Sequence, residues 1–215
     1  MEPFVQEYQI QAIHLDAKGV VKPSVLLHFV QEAAGGHCKL LQLDWETLAK
    51  KRLFWAVIRH RVQIARLPVA GEVVTVETWP MPTTRTAYPR SIIAYDEAGN
   101  EVFRSITLWV LMDLKSRAMI LPGKSGVEVS GTLRGTELTT PRAIAIKAME
   151  QTMERTVLFS DVDRNGHMNN TRYMDWVDDL LPGAFHKERP VRGFTVCYLD
   201  EATEGQRIDL CWQLL

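Results

Sequence analysis

The sequence predicts an α+β fold in which two long helices are each wrapped by an antiparallel β-sheet. Three observations predict it. Residues 23–43, PSVLLHFVQEAAGGHCKLLQL, place apolar side chains at helical spacing. Four consecutive runs of strand character follow, separated by the turn-like breaks LPVAG, PMPTT and DEAGN. After residue 150 the same order of strand, helix and strands returns at low identity.

Taken in order, residues 4–14 alternate and read as the first strand. Pro23 suits the first turn of the long helix, where its missing N–H would have no partner anyway. Gly35 and Gly36 interrupt that helix, so that it bends there or admits a close neighbour. The four strands are 53–66, 72–79, 85–96 and 101–113. Residues 121–150 are rich in glycine, proline and small polar side chains, and read as a connector lying over the surface. Residues 153–160 return to strand character, and Asn169 and Asn170 open a second helix. The domains expected are 1–120, a connector 121–150, and 151–215.

The duplication can be aligned. With Asp16 on Asp163, LDAKGVVKPSVLLHFVQE runs against VDRNGHMNNTRYMDWVDD without a gap, and Gly19 falls on Gly166. Farther on, RVQIARLPVAGEVVTVETW runs against TVCYLDEATEGQRIDLCWQ, and Gly71 falls on Gly205. The comparison separates scaffold from chemistry. Where the second half has Asn165, His167 and Glu201, the first has Lys18, Val20 and Leu67. One site per chain, in the second half, is the simplest reading.

Bulk properties narrow the function classes. A chain of 215 residues with 46% hydrophobic and 24% charged residues has ordinary globular proportions and material for a sizeable core. A net charge of -1 implies no general attraction to nucleic acid, and no helix-turn-helix with a basic surface is evident. No stretch approaches the roughly 20 apolar residues that span a bilayer, so no membrane insertion is expected. The segment MEPFVQEYQI is acidic and lacks the basic and apolar regions of a signal peptide, which points to a cytoplasmic protein. Cys38, Cys197 and Cys211 show no metal-ligand spacing and read as reduced core thiols.

The most informative stretch is DVDRNGHMNNTRYMDW, residues 161–176. Asp163, Asn165 and His167 alternate, so an extended backbone points all three to one side. One of them can move a proton near neutral pH, and the run ends just before a helix N-terminus. That is a catalytic arrangement rather than a structural one. The bland readings are that Asn169 or Asn170 caps the helix, that Asp163 forms a turn as Asp16 does, and that Glu201 in DEATEGQ is a solvated turn residue. Tyr173 and Trp176 read as packing residues, and His14, His28, His37, His60 and His186 as ordinary surface or packing residues.

With FTVCYLDEATEGQ downstream, this stretch resembles the acyl-acyl carrier protein thioesterases of plants and bacteria. FWAVIRHRVQIARLPVAGEVVTVETWP in the first half fits the same family, so the resemblance covers nearly the whole chain. It implies a tandem hotdog fold, hydrolysis of fatty acyl thioesters on acyl carrier protein, and Asp163, Asn165, His167 and Glu201 as the catalytic set. No metal or organic cofactor is expected, since His167 lacks the partners a metal site would need. Glu201 is the candidate general base, because a carboxylate screened from bulk solvent gains basicity. His167 shares that role or positions the water and later protonates the leaving sulfur. Asn165 donates to the thioester carbonyl or holds the water, and Asp163 orients Asn165 or His167. Backbone N–H groups from His167 to Asn170 are candidate oxyanion donors.

Two departures matter. Plant members usually carry cysteine directly after the glutamate, where this chain has Ala202, so a cysteine nucleophile is excluded at that position. Cys197 lies about 13 Å from Glu201 along an extended strand and is a poor substitute. The second half also runs only ten residues past Gly205, so its sheet is expected to lack its last two strands. A bare apolar edge there tends to associate, which leaves a homodimer open and makes a longer natural protein, or a poorly stable form, the expectation. For the acyl tunnel, Phe29, Trp55 and Trp109 are candidate lining residues, and Gly35 and Gly36 leave volume. Acyl carrier protein is acidic, so Lys50, Lys51 and Arg52, or Arg59, His60 and Arg61, are candidate docking clusters. The alternatives are an acyl-CoA thioesterase of the same fold, an enoyl hydratase and a non-catalytic acyl-binding module.

Overall fold

The computed structural model describes residues 2–214. Strand β1 (Phe4–Gln9) leads through a single 3-10 turn at Ala12–His14 into α1 (Pro23–Leu40) and the short α2 (Trp45–Lys50). Four long strands follow: β2 (Leu53–Ile64), β3 (Val73–Pro80), β4 (Tyr88–Tyr95) and β5 (Glu101–Asp113). The two-residue β6 (Met119–Ile120) turns back on β5, and α3 (Pro122–Ser125) opens the connector. The second half holds β7 (Gln151–Thr156), α4 (Arg172–Asp179), α5 (Gly183–Glu188), β8 (Gly193–Cys197) and β9 (Arg207–Trp212).

Helix α1 forms because its apolar residues recur on one side. Leu26, Leu27, Phe29, Val30, Ala33, Ala34 and His37 are all buried, and that stripe lies on the sheet. Pro23 occupies the first turn as expected. The helix stops at Leu40, short of 43, where Gln42 takes a left-handed conformation. The sheet is antiparallel throughout, in the order β1-β3-β4-β5-β2-β8, with β6 beside β5. Val74, Val76, Ile92, Ala94, Phe103, Val62 and Ile64 pack against α1 and form the main core.

The two halves repeat each other at the level of single hydrogen bonds. Asp16 N–H donates to the Val20 carbonyl at 2.8 Å, and Asp163 N–H to that of His167 at 3.0 Å. Gly19 and Gly166 have φ of 79° and 81°, and each donates its N–H back to the aspartate, so only glycine suits either turn without strain. The strand pair β7–β9 copies β1–β3 in register: Gln151 faces Trp212 as Phe4 faces Thr78, and Thr156 faces Arg207 as Gln9 faces Val73. Strand β8, the copy of β2, pairs with β2 itself. Arg61 lies opposite Thr195, the residue aligned with it in the duplication, so a local two-fold axis passes through that pair.

The second half differs where its sequence does. Strand character ends at Thr156 and continues as a 3-10 turn at Phe159–Asp161, as the first half does after Gln9. The helical segment breaks at Leu181 and Pro182 into α4 and α5, so the second helix is shorter than the first. Among the described residues the second half has counterparts of β1, β2 and β3 but none of β4 and β5. The connector carries no regular structure after α3 and is held on the sheet by side chains. Arg104 donates to the Thr136 carbonyl at 3.0 Å, Arg59 to that of Pro141 at 3.3 Å, and the Trp79 indole to Glu137 at 3.1 Å. All three cysteines are free, but Cys211 is exposed rather than in a core. No helix among the described residues is long and apolar enough to cross a membrane.

Candidate active site

The loop from Val157 to Thr171 is shaped by its own hydrogen bonds. Val162 bridges Met168, Met168 N–H donates to the Ala202 carbonyl at 2.7 Å, and Asn169 N–H donates to that of Asp161 at 2.8 Å. The Met168 bond ties the histidine loop to the segment after β8, which brings Glu201 to His167 although they are far apart in sequence. His167 Nε2 lies 3.3 Å from Glu201 Oε2. Asp163 accepts from Asn165 N–H at 2.7 Å and from its side-chain amide at 3.4 Å. It therefore orients Asn165 and not His167, and uses the same turn geometry by which Asp16 holds Lys18 N–H at 2.8 Å.

All four residues line one cavity of about 380 Å³, together with Trp55, Trp109 and Tyr198. Tyr198 donates its hydroxyl to the Asn170 carbonyl at 3.1 Å and meets the Tyr173 ring edge-on at 5.7 Å. Burial raises the Tyr198 phenol well above its ordinary value, so it stays protonated. A larger cavity of about 540 Å³ adjoins the first between α1, α2 and the sheet. Trp45, Trp55, Trp109 and Asn165 line both, so the two form one groove.

Several expectations need correction. Glu201 is not screened from solvent: its side chain is 40% exposed and paired with Arg117. The N–H groups of Met168 and Asn169 are spent on carbonyls and are not free oxyanion donors. Neither Asn169 nor Asn170 is the N-cap of α4, which is Thr171; Asn169 accepts from Thr171 N–H at 2.9 Å in the turn just before the helix. Trp55 and Trp109 line the groove, but Phe29 is in the main core, stacked on Tyr8. Gly35 borders the groove with open space, whereas a Cβ on Gly36 would lie 2.7 Å from the Phe4 ring. Lys50 lines the groove, but Arg59 and Arg61 hold connector carbonyls and His60 is buried.

Arg117 is the residue that sequence reasoning missed. It donates through Nε and Nη2 to both oxygens of Glu201, and its Nη2 lies 3.5 Å from His167 Nδ1. Its guanidinium also stacks over Phe54, 4.2 Å from the ring centre. It sits at φ 57° in the turn between β5 and β6, where the stretch LKSRAMI carries no motif to mark it.

Two helices, each beside its own antiparallel sheet and joined through the β2–β8 ladder, define a tandem hotdog architecture. Residues 2–121 match the family model described as the acyl-ACP thioesterase N-terminal domain, and residues 145–214 match the acyl-ACP thioesterase C-terminal domain. The chain belongs to the acyl-ACP thioesterase family. It is 26% identical to the palmitoyl-acyl carrier protein thioesterase of Gossypium hirsutum, over 92% of this chain and 52% of that protein. It is 24% identical to the dodecanoyl-[acyl-carrier-protein] hydrolase of Cinnamomum camphora, over 83% of this chain and 50% of that protein. The chain thus spans about half the length of these curated relatives. Among solved structures it superposes on an acyl-ACP thioesterase from Bacteroides thetaiotaomicron with TM-score 0.85 at 24% identity, covering 94% of this chain and 83% of that one. For the 12:0-ACP thioesterase from Umbellularia californica the TM-score is 0.78 at 21% identity, covering 96% and 80%. The two likenesses show the shared fold.

Proposed function

We propose that this chain hydrolyses fatty acyl thioesters of acyl carrier protein and releases the free fatty acid. The observation that carries the reading is the meeting of His167 and Glu201 at 3.3 Å beside a groove lined by Trp55 and Trp109, in a chain of this family. The thioester carbonyl would sit among these groups with the acyl chain along Trp55 and Trp109. Water adds its oxygen to the carbonyl carbon while the Glu201/His167 pair takes its proton. The carbon–sulfur bond then breaks, the fatty acid leaves, and the proton passes to the departing thiolate. Asn165, oriented by Asp163, positions the carbonyl or the water. The first half supplies most of the groove and the second half the reacting groups. Three free cysteines support a reducing compartment such as the cytoplasm.

The test is fatty acid release from a mixture of acyl carrier protein thioesters, with wild type beside Glu201→Ala and His167→Ala. Wild type should release acid, and each variant should lose about 100-fold or more in kcat, the usual range for a missing acid–base group. Loss with His167→Ala alone would put the base role on the imidazole. Release from acyl-CoA at an equal or faster rate would reassign the carrier. A folded wild type without hydrolysis on either would leave an acyl-binding module.

A further inference from the structure

Among the charged side chains that line the larger cavity, Lys39, Asp44, Glu46, Lys50, Arg90 and Arg164, only Arg90 is buried, and an ordinary hydrocarbon chain does not call for a buried charge. Arg90, on β4, lines that cavity and is only 6% exposed. It points toward α1, since Ile92 and Ala94, at alternate positions on the same strand, belong to the core under that helix. Its partners among the described residues are all uncharged. One terminal nitrogen, Nη1, donates to His37 Nδ1 at 3.0 Å and to Thr78 Oγ1 at 3.2 Å. Thr78 passes its own hydroxyl proton to the Ser91 carbonyl at 3.0 Å, so its oxygen is free to accept from Arg90. Burial and the neighbouring guanidinium push the His37 imidazole down to about 4, which keeps it neutral and an acceptor. The other terminal nitrogen has only a weak contact, 3.9 Å to Cys38 Sγ.

A buried guanidinium is costly without a counter-charge and with donors unfilled. Its two Nη1 hydrogens are used, while the edge formed by Nε and Nη2 meets no oxygen among the described residues. That edge is the one that grips a carboxylate through two parallel hydrogen bonds. Arg90 lines a cavity that continues from the His167–Glu201 end past Trp55 and Trp109.

We infer that the Arg90 end of the groove is a second recognition site, which holds a carboxylate at the far end of the acyl chain against the Nε and Nη2 edge of Arg90. The thioesters favoured would then be half-thioesters of straight-chain dicarboxylic acids, of a length that reaches from His167 to Arg90. This rests on reading the groove as an acyl site, but not on the chemistry at His167.

The test measures binding, so hydrolysis is not needed. The probes are N-ethyl amides of straight-chain acids, in a graded series of lengths, each beside its ω-carboxy counterpart, titrated into the full chain by calorimetry. At one length or a narrow range, the ω-carboxy amide should bind about tenfold or more tightly than the methyl-ended one, the worth of a charged bidentate bond. Arg90→Gln, checked for folding by its thermal melt, should abolish that preference. Where Arg90→Gln does not fold, Arg90→Lys keeps the charge without the planar edge and should reduce the preference by about threefold or more. Methyl-ended amides binding equally well at every length would overturn the inference, as would a preference that survives in a folded variant. A preference that holds while acyl carrier protein thioesters are not hydrolysed would overturn the proposed function and leave this site standing.

Discussion

Arg117 governs how Glu201 is held. Without it the carboxylate, 40% exposed on its loop, would have only His167 to define its direction. A planar guanidinium fixes both carboxylate oxygens at once, which a single ammonium cannot do. Arg117→Ala is expected to lower kcat about tenfold while leaving KM nearly unchanged, because it acts on the reacting group and not on the acyl chain. Arg117→Lys should recover part of that loss. A rise in KM at constant kcat, measured with one acyl carrier protein thioester, would show instead that Arg117 binds the substrate.

At the scale of elements, the joint between β2 and β8 decides whether the site exists. Strand β8 has no partner in the second sheet, and its ladder to β2 from Arg59–Cys197 to Gln63–Gly193 is what carries Glu201 into place. The approach at one end is too close for a side chain: a Cβ on Gly193 would lie 2.6 Å from the Val62 carbonyl oxygen. Gly193→Ala should therefore push the strands apart and cost about 1–3 kcal/mol of stability. Because the loop after β8 follows it, fatty acid release should fall together with the melting temperature. A variant that melts like wild type and keeps full activity would show that the strand can shift at no cost to the site.

For the whole molecule, the buried histidines His37 and His60 contribute a loss of stability in acid. Burial pushes His60 down to about 3, and burial with the nearby Arg90 charge pushes His37 to about 4. Both lie below the ordinary value of 6.5, so the unfolded chain takes up protons that the folded chain refuses. The two histidines should lower stability as pH drops below 6.5, down to about 4 for His37 and about 3 for His60, by roughly 2 kcal/mol each at pH 5, partly offset by the Asp178 carboxyl, which burial raises to about 6. His60→Gln keeps a hydrogen bond within reach of Ser105, now 2.6 Å from the imidazole, and removes the titration. Its denaturation midpoint should change less between pH 7 and pH 5 than that of wild type. An unchanged slope would mean that other groups control the acid response.

What could be read from residues alone was whatever depends on neighbours in sequence. Alternation marked the strands, the 3.6-residue stripe marked α1, and paired aspartates and glycines marked the turns at 16–19 and 163–166, because each is a local matter of backbone geometry. The duplication even carried the register, since two strands tied to the same turns must pair alike. It also pointed to Asn165, His167 and Glu201 as the positions where the second half departs from its copy, while Asp163 matches Asp16. Tertiary structure decided the rest. Arg117 reaches Glu201 across 84 positions and Arg90 reaches His37 across 53, and neither stretch carries a pattern, because a side chain's partner across a groove leaves no period in its own segment. Phe29 and Gly36 were likewise indistinguishable from groove residues until the packing of β1 against α1 filled the space beside them. Local geometry is written in neighbouring residues, while a charge's partner and a cavity's walls exist only once distant segments meet.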